Sequence, residues 1–182
     1  MRKTFVMLVA GASLAVPAGA LADDDAANAT PNASQSCKQQ RETMGEATFK
    51  ATYGTNKNRS NALGKCVSKM SKAQQGDQSS AAKACKTEQQ ANTAAFAAKY
   101  GTNNNGKNAN GKCVSSKSTE ADEKRTDATV SAAKQCKTER KADPAAFKET
   151  YGTNKNKSNA FGKCVSAKAK AQQDDPPTPP AA

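Results

Sequence analysis

The chain contains no histidine, no tryptophan and no isoleucine. The missing histidine removes the commonest general acid–base and the commonest metal ligand together. Large apolar side chains are almost as scarce. Beyond residue 22 there is one leucine, Leu63, with four valines (Val67, Val114, Val130, Val165) and four phenylalanines (Phe49, Phe96, Phe147, Phe161). That is far below what a conventional core of this length needs. Alanine supplies most of the remaining apolar count, and it favours helix while burying little surface. Any folded part is therefore expected to be small, helical and held by something besides burial.

The N-terminus holds the longest apolar run. Arg2 and Lys3 precede an apolar stretch over 5–16, and Ala20 and Ala22 then place small residues before Asp23. The run is too short to span a bilayer, and the order fits a secretory signal peptide over 1–22. Asp23, not a cysteine, stands directly after the cleavage position, which argues against a lipid anchor. The expected location is secreted or envelope-associated, with no membrane span after cleavage. All six cysteines lie beyond residue 22. An even count in an oxidising compartment points to disulfides.

What is present is one pattern written three times. Phe-x-x-x-Tyr-Gly-Thr-Asn is followed by Asn-Ala-x-Gly-Lys-Cys-Val-Ser in copies starting at Phe49, Phe96 and Phe147. Each is preceded by a Cys-Lys pair, at Cys37, Cys85 and Cys136. Self-similarity of this kind marks a repeat architecture. In each unit the Cys-Lys segment reads as a first helix. Asp143-Pro144 and Asn92 supply N-caps for a short second helix carrying Phe and Tyr on one face. The glycine after each Tyr suits a left-handed helix end. After a polar loop, Asn61, Asn108 and Asn159 are expected to cap a third helix that holds the second cysteine.

The fold class expected is all-α: three disulfide-stapled modules of two to three short helices, joined by flexible linkers. The modules cover 33–73, 81–117 and 132–171. The linkers are 74–80 and 118–131, with disordered ends at 23–32 and 172–182. Six cysteines allow fifteen connectivities. The near-equal Cys-to-Cys spacing in all copies favours the local pairs Cys37–Cys66, Cys85–Cys113 and Cys136–Cys164. Closing such a loop contributes about 3.5 kcal/mol in the chain-entropy description. Asn110 stands where the other copies have Leu63 and Phe161, so the second module is expected to be the least stable.

The strings Asp143-Pro144-Ala145-Ala146-Phe147, Tyr151-Gly152-Thr153-Asn154 and Asn159-Ala160-Phe161-Gly162-Lys163-Cys164-Val165-Ser166 together resemble a repeat of secreted, uncharacterised actinobacterial proteins. The resemblance covers the three modules and not the segments between them. It implies repetition and export, with no activity attached.

The formal net charge is +12. Residues 33–73 carry +6, 81–117 carry +5 and 132–171 carry +7, while the rest of the chain after residue 22 is acidic. Basicity thus belongs to the modules. Nucleophilic and glycosidase chemistry need an activated nucleophile or paired carboxylates. No carboxylate holds one place in all three copies: Glu88 and Glu139 correspond to Gln40. No catalytic residue, metal site or cofactor is expected. The candidate binding residues are the loop amides and cations Asn56, Lys57, Asn58, Arg59, Asn103, Lys107, Asn154, Lys155, Asn156 and Lys157, with Lys65, Lys112 and Lys163 beside the second cysteines. They suit an anionic polymer such as teichoic acid, acidic polysaccharide or nucleic acid. The alternative is a structural or interaction protein of the envelope with protein partners and no polymer ligand.

Overall fold

The computed structural model describes residues 32–174, and the signal peptide expected over 1–22 lies outside them. Among the described residues seven helices follow in order: α1 (Ala33–Met44), α2 (Glu46–Tyr53), α3 (Ala62–Ala91), α4 (Thr93–Tyr100), α5 (Ala109–Ala142), α6 (Pro144–Tyr151) and α7 (Ala160–Asp174). There is no strand among the described residues. Three disulfides join Cys37 to Cys66, Cys85 to Cys113 and Cys136 to Cys164, with Cα–Cα distances of 5.9, 6.0 and 6.1 Å.

Each staple ties two longer helices together, and one short helix fills the angle between them. Thus α2 packs on α1 and α3, α4 on α3 and α5, and α6 on α5 and α7. Inside each unit the Phe and Tyr rings lie 5.0 Å apart, as their four-residue spacing on a helix requires. Asp143 caps α6 by accepting from the amides of Ala145 and Ala146, and Asn92 caps α4 through the amide of Ala95. The first helix begins with a reciprocal capping box between Asn32 and Gln35, a signal not read in the sequence.

The segments expected as flexible linkers are helical. Residues 74–80 lie inside α3 and 118–131 inside α5, so each of these helices belongs to two modules. Neither segment contains proline. Segment 118–131 also buries one face, through Ser118, Asp122, Thr126, Ala128, Thr129 and Val130. Residues 172–174, expected in the C-terminal tail, belong to α7; the rest of that tail and the N-terminal end expected over 23–31 lie outside the described residues.

Polar contacts explain why these segments order. Asp122, buried in α5, accepts from Ser36 Oγ of α1 at 2.7 Å and from Gln74 Nε2 of α3 at 3.2 Å. Arg125 pairs with Asp122 at 3.1 Å and with Asp77 of α3. Gln40 of α1 donates to Thr126 Oγ1. The first module is thereby fixed to the helix that enters the third. Met44 and Ala51 complete the apolar cluster around Phe147 and Phe161. A Cβ on Gly162 would meet the Thr52 carbonyl at 2.8 Å, so α2 and α7 approach that closely only because this position has no side chain. The second module has the smallest cluster: Cys85, Phe96, Ala109 and Cys113, flanked by Tyr100 and Val114, with Asn110 exposed beside it.

Candidate polymer-binding site

The three loops between the second helix and the next long one are built alike. Tyr53, Tyr100 and Tyr151 end the short helices, and the following glycine leaves the helix in an extended conformation. The expected left-handed helix end is therefore absent at that residue. Glycine is needed there for space: a Cβ on Gly54 would lie 2.4 Å from Arg59 Cβ, and one on Gly152 2.5 Å from Lys157 Cβ. The left-handed residue comes five positions later, at Arg59 (φ 56°), Gly106 (φ 62°) and Lys157 (φ 52°).

The last loop asparagine also differs from expectation. Asn61 and Asn108 make no side-chain cap to the following helix. Asn61 instead reaches back across the loop, accepting from the Thr55 amide at 3.0 Å and donating to Thr55 Oγ1 at 2.8 Å. Asn108 does the same to Thr102, and Asn159 to Thr153. This clamp competes with capping and wins because one side chain satisfies two groups of the loop start. Asn58 is likewise committed within its loop, accepting from the Ser60 amide at 3.1 Å.

The packing of α2 on α7 brings the first and third loops together. Arg59 extends across the gap and donates through Nη2 to the Ser158 carbonyl at 3.0 Å. Between the loops lies a cleft of about 590 Å³, lined by Thr55, Asn56, Lys57 and Arg59 on one side and by Asn154, Asn156, Ser158 and Asn159 on the other. A second hollow of about 430 Å³ adjoins loop 3, lined by Lys148, Lys155, Lys157, Glu149 and again Asn156. Lys157 is ion-paired with Glu149 there. Among the described residues that line the larger cleft there is no carboxylate and no aromatic ring.

The sequence candidates divide accordingly. Asn56, Lys57, Arg59, Asn154 and Asn156 line the cleft, and Lys155 and Lys157 the adjoining hollow. Asn103 and Lys107 are exposed on the second loop, which lines neither. Lys65, Lys112 and Lys163 sit on α3, α5 and α7 outside both; Lys65 and Lys163 are exposed and Lys112 half-buried. Sequence reasoning missed Lys148 and Ser158. The signal was available: copies one and three share lysine three residues before the Tyr (Lys50, Lys148) and serine before the last Asn, where copy two has Ala97 and Lys107.

The aromatic pair lies beneath the loops, in the core. Tyr53 is buried and donates to Gln40 Oε1 at 2.5 Å; burial pushes its hydroxyl pKa up to about 12. Tyr151 donates to Glu139 at 3.0 Å, and Tyr100 to Glu88 at 3.2 Å. Hydrogen bonding by Lys99, and then by Lys117, holds Glu88 below the usual carboxylate range; Lys168 does this for Glu139. These carboxylates support tyrosines and do not face the cleft. Among the described residues no helix is long and apolar enough to cross a membrane. No protein-family model matches the chain, and neither does any curated protein or solved structure.

Proposed function

We propose that this chain is an exported, non-enzymatic repeat protein that binds an anionic polymer in the cleft between its first and third loops. The cleft itself carries the reading. Its volume lies in the range of ligand sites, and it offers Lys57 and Arg59 with carboxamides on both walls. Three disulfides and a module charge of consistent sign support the exported, polyanion-facing part of the proposal. The non-enzymatic part rests on the lack of histidine and of any carboxylate common to the three copies. Such binding is ionic and weakens as salt competes for the charges. The test is retention of the oxidised protein on immobilised teichoic acid, acidic polysaccharide and DNA across a salt gradient. Retention at low salt that is lost by a few hundred millimolar supports the proposal. No retention on any of them at low salt overturns it and leaves the structural envelope role.

A further inference from the structure

The two loops that form the cleft are also the two that agree with each other. Residues 54–62 and 152–160 differ only in carrying Arg59 and Lys157 at one place. Residues 101–109 carry Asn104, Gly106 and Lys107 where the others have Lys57 and Lys155, Arg59 and Lys157, and Ser60 and Ser158. The middle of these positions is left-handed in all three loops. Glycine adopts that conformation freely, whereas a residue with a side chain loses about 1 kcal/mol or more there. Loop 2, which lines neither hollow, has the unstrained glycine. Loops 1 and 3 hold cations at the same place in spite of the strain, and strained side chains of this kind gather at functional sites.

We infer that loops 1 and 3 are the two halves of one site for a polyol phosphate chain, a phosphodiester polymer with hydroxyl-bearing spacers, and that loop 2 has no part in it. The inference rests on the polymer reading above and names its ligand class. Phosphodiester oxygens take cations and N–H donors, which Lys57, Arg59 and Lys155 provide. Only one of the five guanidinium N–H groups is used in the bond of Arg59 to Ser158. Spacer hydroxyls both donate and accept: Asn56, whose Nδ2 donates to Ser60 Oγ, offers its carbonyl oxygen, and Asn156, whose Oδ1 accepts from the Ser158 amide, offers its amide N–H groups. Asn156 lines both hollows, so the two adjoin along loop 3, where the Glu149 carboxylate of the second is taken up by Lys157. Neither hollow has an aromatic ring among its described lining, and Phe49, Phe96, Phe147 and Phe161 are all buried. Bases of a single-stranded nucleic acid would have nothing to stack on.

The experiment is a calorimetric titration of the oxidised full chain with three oligomers of equal charge number: poly(glycerol phosphate), oligogalacturonate and oligo-dT. The expected result is one poly(glycerol phosphate) oligomer per chain, bound at least fivefold tighter than the other two. Lys57→Ala and Lys155→Ala are each expected to weaken it five- to tenfold. Lys107→Ala, the same charge change on loop 2, is expected to change it less than twofold. Three oligomers per chain, or a Lys107→Ala loss equal to that of Lys57→Ala, refutes the composite site. Equal or tighter binding of oligogalacturonate or oligo-dT refutes the polyol phosphate class. If none of the three binds at low salt, the anionic-polymer reading itself fails.

Discussion

Tyr53 donates its hydroxyl to the side-chain oxygen of Gln40 at 2.5 Å, in the place where Tyr100 and Tyr151 donate to glutamates. A second exchange accompanies this one. Lys117 and Lys168 pair with those glutamates, and the corresponding residue of the first copy is Met70, whose sulfur lies 3.8 Å from Gln40 Nε2. The charged pair has become a neutral pair. The cause is visible in the packing: Gln40 and Met70 are buried, Thr126 of α5 lies against Gln40, and a lone charge there would be desolvated. The half-exposed Glu88 and Glu139 keep their lysines.

Restoring the glutamate should therefore be costly. Gln40→Glu is expected to lose about 3 kcal/mol at pH 7 by placing an uncompensated carboxylate under α5. Burial raises such a group's folded-state pKa above its unfolded value near 4.3. The loss is then smallest below about pH 4 and grows as pH rises through the folded value. Urea melts at pH 4 and pH 7 measure it; equal losses at both would refute the burial argument.

Burial of the same tyrosine governs behaviour in alkali. Tyr53 titrates at about 12 in the folded chain, against about 10 when unfolded. A raised pKa stabilises the fold fully below pH 10, and that contribution drains away as pH climbs towards 12, by about 3 kcal/mol in all. Tyr53→Phe is expected to be less stable than the parent at pH 8, where its hydrogen bond is missed, and to lose less stability between pH 9 and 11. Parallel stability curves for the two proteins over that range would show that Tyr53 is not the group responsible.

The second module should open first. Its cluster is the smallest, and Asn110 leaves a polar group where Leu63 and Phe161 pack. Replacing Cys85 and Cys113 by serine is expected to remove about 3.5 kcal/mol of constraint and to release amide protection between residues 85 and 113. Protection around Cys37–Cys66 and Cys136–Cys164 should persist. Hydrogen exchange read by mass spectrometry separates local opening from global loss, and uniform loss across the chain would contradict the modular account.

The sequence made the units legible because cysteine, aromatic and glycine positions are set by local geometry. It hid the connection between them. Ser118, Asp122, Thr126, Thr129, Ala133 and Cys136 recur every three or four residues and are all buried, a helical stripe in α5. Counting only large apolar residues misses it, since none of the six is one. The meeting of the first and third loops was equally hidden, because it depends on that stripe and on the bare Gly162 face. The identity of the two loops was the available clue, and it pointed to a shared place rather than to three equal sites.

That stripe gives a direct test of the assembly. Asp122 is held by Ser36, Gln74 and Arg125, so Asp122→Ala leaves Arg125 with Asp77 alone in a largely buried setting. Arg125 keeps its partner, so the cost is that of taking the charged acceptor from the buried Ser36 hydroxyl, about 2–3 kcal/mol. Asp122→Asn keeps the shape and two neutral hydrogen bonds, and should cost less than half as much. The loss is expected to fall on the junction of α1 with α5, separating the first module from the third. Polymer affinity should fall with it, because loops 1 and 3 lose their common frame while every lysine and arginine remains. Its signature is weaker binding with an unchanged salt slope, whereas Lys57→Ala lowers the slope by removing a cation. An Asp122→Ala protein that melts like the parent, or binds with undiminished affinity, would detach the cleft from the packing that creates it.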